Sequence, residues 1–187
     1  METLNIRKQF ANFPMPTVVV GTEEMGQINW MTVAWCMQLE YNPPMIGIVL
    51  SKNHHTSKAI RNTGWFSVNL PTIRQMESTD YVGMVSGKEK DKSKVFPSFY
   101  GDKKKVPMIE GCGIAFECAL SETIEINGDP LFIGRVEGMY SDPEYLTDGK
   151  PDFAKIHPFV FCMADGSYWS LEKRVAKAWK VGESLRT

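Results

Sequence analysis

The stretch INWMTVAWCMQLEYNPPMIGIVL, Ile28 to Leu50, decides the fold. A polar and aromatic cluster (Asn29, Trp30, Thr32, Trp35) leads through a turn at Pro43-Pro44 into MIGIVL, a short run that is almost wholly apolar. Such a run reads as a strand buried on both faces, as in the core of a barrel or sandwich. Working outward, TVVVGTEEMGQINWMTVAW predicts a hairpin: a β-branched run at Thr17 to Val20, a polar turn with Gly21 and Gly26, and a return strand. HTSKAIRNTG predicts a short helix with Thr56 as a plausible N-cap, Ala59 and Ile60 facing inward and Gly64 at its end. WFSVNLP alternates Phe66, Val68 and Leu70 with polar residues, a strand pattern, and Ile73, Met76 and Tyr81-Val82 have helical spacing. EINGDPLFIG links two long β-rich runs, a strong hairpin signal. Six to eight strands with one or two short helices, not alternating, argue against a doubly wound parallel sheet and for a closed antiparallel barrel with helical additions.

Composition sets the bounds. A chain of 187 residues, 43% hydrophobic and 23% charged, suits one globular domain with a real core. The formal net charge of -1 gives no field for recruiting nucleic acid, no apolar stretch is long enough for a membrane span, and neither partner is expected. METLNIRKQFANF has no apolar core of a secretory signal, and Cys36, Cys112, Cys118 and Cys162 form no C-x-x-C pair, so free thiols in a cytoplasmic protein are expected. No metal site is expected either: His54 and His55 are adjacent and only His157 remains. Neither a G-x-G-x-x-G helix start, a Walker A motif nor a nucleophile elbow occurs, and no base can be assigned to Cys36 or Cys162.

Two constellations remain, each with two readings. SKNHHTSKAIRNTG gathers Ser51, Lys52, His55 and Thr56 at a helix start, where free N–H groups, hydroxyls and a cation suit a phosphate. The plainer reading is a cap and a polar loop. Asn29, Trp30, Met31, Thr32 and Trp35 can offer rings and hydrogen bonds to a planar heteroaromatic, or can simply be core. If the two strands pair as neighbours, the constellations could hold the ring and phosphate of one FMN. The lysine-rich segment Ser86 to Val106 is either a solvated loop or a flap over a phosphate.

In order along the chain, PMPTVVVG, GQINWMTVAW, NPPMIGIVLSKNHHTSKAIRNTGWFSVNLP, YVGMVSGKEKDK and HPFVFCMADGSYWSL resemble the flavin reductase-like proteins of the FMN-binding split-barrel fold, and within them the flavoredoxin branch. The resemblance runs from about Phe13 to Leu171. It implies a mainly β protein, a six-stranded antiparallel Greek-key split barrel with a few short helices, acting as a homodimer, with residues 172–187 as a basic tail. It implies FMN as cofactor, with Asn29, Trp30, Met31 and Thr32 along the ring and Ser51, Lys52, His55 and Thr56 on the ribityl phosphate. Ser86, Gly87 and Lys88, with Asp91 and Lys92, match the family's Ser-Gly and Asp-Lys elements and would close over the phosphate. Ser93 stands where many members carry Phe, the nearest Phe being Phe96, and Trp30 is bulkier than the small residue common at its position. Tyr168 and Trp169 match an aromatic near the end of the barrel. The implied activity is transfer of electrons from NADH or NADPH through FMN to a free flavin or a protein acceptor; the alternative is a non-enzymatic FMN electron carrier.

Overall fold

A computed structural model describes residues 13–186. The strands are β1 (Met15–Pro16), β2 (Val18–Glu24), β3 (Gln27–Val33), β4 (Cys36–Tyr41), β5 (Pro44–Val49), β6 (Trp65–Leu70), β7 (Ser98–Tyr100), β8 (Pro107–Ile109), β9 (Ile114–Ile126), β10 (Asp129–Tyr140), β11 (Leu146–Thr147), β12 (Lys150–Pro151), β13 (Phe159–Cys162) and β14 (Ser167–Ser170). The α-helices are α1 (His55–Thr63), α2 (Met76–Met84) and α3 (Phe153–Ile156). The expectations about the first twelve residues lie outside the described residues. Among the described residues no helix is long and apolar enough to cross a membrane.

The main sheet has the order β3-β2-β6-β9-β10-β5-β4, antiparallel throughout. Its two edge strands, β3 and β4, are consecutive in sequence and separated only by Ala34 and Trp35. There the chain bends: Cys36 N–H donates to the Ala34 carbonyl at 2.9 Å, and Val49 N–H donates to the Trp35 carbonyl at 3.0 Å. The first half of this bent strand pairs with β2 and the second half with β5, so the sheet closes on itself. Counted as one strand, β3 and β4 reconcile the seven strands of the sheet with the six expected. A separate sheet, β1-β13-β14, flanks the barrel.

The barrel interior is filled by Val18, Val20, Ile48, Phe66, Val68 and Phe132 among others. A second core lies on the other face of β2 and β3, where Val19 and Trp30 pack with Val82 of α2, Phe96 and Met108. The unbroken Val18-Val19-Val20 run follows, because β2 is buried on both faces. Helix α1 starts two residues earlier than expected, with His54 and not Thr56 at the N-cap and Thr56 inside the helix, and ends at Gly64 with φ 72°. The β9–β10 hairpin turns on Asn127 and Gly128, both with positive φ, as a type I′ turn requires. Gly21 is not in the turn. It lies opposite Trp30 in the middle of β2, the turn being Met25-Gly26.

The lysine-rich segment is fastened rather than free. Phe96 meets Trp30 edge-on, with ring centroids 5.9 Å apart. The buried Glu117 carboxylate of β9 accepts from Lys103 N–H at 3.3 Å, Lys105 N–H at 3.4 Å and the Tyr140 hydroxyl at 3.3 Å. Phe96 thus supplies an apolar anchor for the segment that follows Asp91-Lys92, although Ser93 stands directly after the pair.

A methyl group at Gly21 would collide with the Trp30 ring and the Ser67 hydroxyl and lie 2.9 Å from the Pro107 carbonyl. Gly21→Ala is therefore expected to destabilise the protein by about 1–3 kcal/mol, seen as a lower midpoint in urea denaturation. An unchanged midpoint would show that the strand and its Trp neighbour can shift apart.

Candidate functional site

The site is assembled by barrel closure, not by strand pairing. β3 and β5 do not pair, so the condition under which the two constellations would meet on neighbouring strands is not met. They meet instead where α1, following β5, reaches back to β3: Asn29 Nδ2 donates to Thr56 Oγ1 at 2.9 Å. Both residues are buried. The Asn29 Oδ1 atom has no hydrogen-bond partner, and Gly87 approaches it so closely that a methyl group there would overlap it.

Two cavities adjoin along this seam. The larger, about 590 Å³, is walled by Met31, Thr32, Trp35, Val49, Ser51 and Phe161 among others, with Asp80, Asp129 and Tyr168 as further polar groups. The smaller, about 240 Å³, is walled by Asn53, His55, Thr56, Ser86, Gly87 and Lys92 among others. Met31, His54, Gly83 and Met84 border both, so the two form one trough. Volumes of this order are ordinary for small-molecule sites. The smaller end lies over the start of α1, where the first N–H groups of a helix have no intrahelical partners.

The sequence-derived residues fall into three groups. Met31, Thr32, Trp35 and Ser51 line the larger cavity, and His55, Thr56, Ser86 and Lys92 the smaller. Asn29 stands behind Thr56, and Lys88 Nζ reaches the Asn53 carbonyl at 3.0 Å on the rim. Trp30 and Lys52 border neither cavity. Side chains alternate along a strand, so Trp30 and Thr32 share one face and Asn29 and Met31 the other; Thr32 still borders the cavity because β3 is an edge strand, whereas Trp30 lies deeper. Trp30 points away from Met31 into the second core, wholly buried, with its Nε1 unpartnered. Lys52 borders neither cavity; its ammonium lies beside the turn at Gly128, and its N–H donates to Asp129 Oδ1 at 3.4 Å.

The sequence reading missed Asp80 and left the role of Tyr168 open. Tyr168 Oη donates to Asp80 Oδ1 at 2.8 Å and bridges β14 to α2 across the far end of the larger cavity. Burial, reinforced by the Asp80 carboxylate, pushes this phenol up to about 12, so it stays a donor at neutral pH. Trp169 is exposed, and His157 ends α3 while its carbonyl accepts from Ile73 N–H. His54 is held below the ordinary histidine value, first by burial and then by Lys92 and Lys88, against the pull of Asp129. Lys92 is 3% exposed, and its ammonium donates to the Val82 and Val85 carbonyls at 3.1 Å each. It ties the flap to the C-terminal end of α2, where the helix dipole favours a cation.

The architecture is that of a split barrel with a ligand trough at its seam. The chain belongs to the flavin reductase like domain family, whose model matches residues 10–160. It is similar to flavoredoxin from Methanosarcina acetivorans, 38% identical with TM-score 0.94 over 99% of this chain and 100% of that one. It is also similar to flavoredoxin of Desulfovibrio vulgaris (Miyazaki F), 27% identical with TM-score 0.90 over 97% and 100% of the two chains. A more distant relative is the NADH-dependent flavin reductase of a Rhodococcus species, 25% identical over 90% of this chain and 86% of that protein.

Two measurements probe the seam. Thr56→Val leaves the Asn29 amide without its acceptor and is expected to cost about 1–3 kcal/mol in urea denaturation; no loss would mean that Asn29 finds another partner. Burial lowers Lys92 from 10.5 to about 8. The unfolded chain therefore holds this proton more tightly than the folded protein does. The resulting penalty is fully present below pH 8 and is relieved as pH rises from about 8 toward 10.5. Relative to Lys92→Met, the parent protein should gain stability over that window; parallel pH profiles would contradict the assignment.

Proposed function

We propose that the trough binds FMN, with the ring in the larger cavity and the phosphate at the start of α1, and that the protein passes electrons through it. The observation that carries this reading is the continuity of an apolar chamber with a smaller chamber of hydroxyls, helix N–H groups and a lysine. The unpartnered Asn29 Oδ1 and the closely approaching Gly87 mark the seam as a built polar cradle, and the residues present fit the group. Ser86, Thr56 and His55 would meet the phosphate, with Lys88 contributing from the rim. Met31, Thr32 and Trp35 would border the ring. FMN, once bound, supplies the redox chemistry. The protein orients it, keeps water from one side and holds the Tyr168 proton at its oxygen. The homodimer and the nicotinamide donor implied by the family resemblance belong to the same proposal.

Electrons would come from NADH or NADPH and pass to a free flavin or a protein acceptor, which makes the protein a flavin reductase-type oxidoreductase. A second reading, an FMN electron carrier that does not use nicotinamide, draws on the charge of the larger chamber. Among the described residues its walls hold Asp80 and Asp129 and no lysine or arginine, so none of these residues offers a dinucleotide's pyrophosphate a cation there.

The test is a visible spectrum of protein supplemented with FMN and desalted, followed anaerobically by NADH and then NADPH. Flavin bands that bleach support the reductase; bands that persist and fall only with dithionite support the carrier. No retained bands would overturn the FMN reading. Ser86→Ala combined with Lys88→Ala is expected to weaken FMN at least tenfold, and riboflavin, which lacks the phosphate, far less. Equal losses for both ligands would displace the phosphate from this end.

A further inference from the structure

The far corner of the larger chamber carries polar groups that binding of a flavin ring leaves unused. It is built from two directions. Across the flanking sheet β1-β13-β14, Met15, Phe161 and Tyr168 stand in one row, and side chains directly opposite one another in a sheet share a face. Tyr168 packs there against Phe161, with ring centroids 5.8 Å apart, and edge-on against Phe159 at 5.3 Å. From the other side α2 brings Asp80, whose Oδ1 accepts the Tyr168 proton. Both residues are half-buried, and both line the chamber together with Phe161 and Trp35. At about 590 Å³ the chamber has the size that takes a whole small ligand, whereas FMN would bring only its ring here.

The bond between Tyr168 and Asp80 fixes what the corner offers. The phenol proton is committed to Asp80 Oδ1, so the Tyr168 lone pairs and the second Asp80 oxygen are acceptors standing side by side. They match two N–H donors on one small group. Among the described residues Asp80 has no ion-pair partner. The other carboxylate in the wall, Asp129, follows Gly128 in the turn where the Lys52 ammonium lies, so a cation stands close to it. The wall also holds Thr17, 1% exposed, whose Oγ1 has no partner among the described residues. A hydroxyl without a partner can give its proton to a carbonyl.

We infer that Asp80, held in place by Tyr168, determines the specificity of a second ligand subsite in this chamber, one that takes a planar aromatic primary carboxamide beside the flavin ring. The amide N–H groups donate to Asp80 and Tyr168, the amide carbonyl accepts from Thr17, and Trp35 and Phe161 flank the flat body. An aromatic carboxylate of the same shape would set its charge against Asp80 and lose both donors. Tyr168 is a positioning residue, acting through the carboxylate that it holds. The inference deepens the flavin reductase reading by giving the chemistry of the second ligand, and rests on that reading for the ring beside it.

The test uses the full chain loaded with FMN and follows the binding of benzamide and benzoate, alike in shape and different in charge, by saturation-transfer NMR. Benzamide is expected to bind roughly tenfold more tightly than benzoate. Asp80→Asn should bring the two within about twofold of each other, and Tyr168→Phe should narrow the gap by less. Near-ultraviolet circular dichroism confirms that both variants are folded. Equal binding of the two probes, binding of neither, or an unchanged ratio in Asp80→Asn overturns the inference. So does benzamide binding that disappears when FMN is loaded, because the ring then fills the corner itself. A protein that retains no FMN overturns the flavin reading, while the benzamide-to-benzoate ratio on the FMN-free chain still decides whether Asp80 selects. Displacement of benzamide by 1,4,5,6-tetrahydro-NADH, which cannot give up a hydride, assigns the carboxamide to a nicotinamide nucleotide; failure to displace it assigns a free aromatic amide.

Discussion

The rest of the structure depends on one strand changing partner halfway along its length. Between Val33 and Cys36 the chain leaves β2 and takes up β5, with the Trp35 carbonyl accepting from Val49 N–H at the crossing. Without that bend the sheet would have two open edges. With it the sheet becomes a barrel, and the start of α1 is brought against β3. The trough exists because of this closure: its walls come from the two ends of a sheet that meet only when the sheet is rolled up.

Closure also explains why the polar groups at the seam are so fully buried. Asn29 Nδ2 donates to Thr56 Oγ1, 27 residues away in sequence, and Thr32 donates to the Thr79 carbonyl of α2. Such bonds are worth little net when made and cost more when one partner is lost. They therefore fix the relative placement of β3, α1 and α2 more than they add to overall stability. The apolar cores on both sides of β2 supply the bulk of the stabilisation. Lys92 follows the same logic, a desolvated cation held at a helix end, and its two carbonyl bonds determine where the flap lies over the smaller cavity.

Local features were legible in the sequence. The hairpin at Asn127-Gly128, the β2–β3 hairpin and the helix ending at Gly64 all depend on residues near one another in the chain. Most of the trough residues were also visible, because hydroxyls, histidines and lysine near a helix start are a local pattern. What was not legible depends on the rolled sheet. Trp30 looked like a ring-site residue because its neighbours are, and only the packing with Val82, Phe96 and Met108 shows that its ring belongs to a second core. Lys52 carried the right charge in the right segment, yet its side chain follows the β9–β10 turn. The Asp80–Tyr168 bond joins residues 88 apart, with no pattern in either neighbourhood to announce it. Among the lysines of residues 88 to 105, nothing in the sequence marks Lys92 as the buried one.

The Glu117 carboxylate under the lysine-rich loop has a practical meaning for handling the protein. The run Lys103-Lys104-Lys105 is a dense target for trypsin, but cleavage needs several residues of backbone in an extended, free conformation. Two of the N–H groups in that run are bound to a carboxylate seated inside the barrel wall. A cut there requires the loop to release both bonds first, so the rate of tryptic nicking at this run reports local opening of the loop away from β9. The charged run is thereby a probe of how firmly this one carboxylate holds the loop.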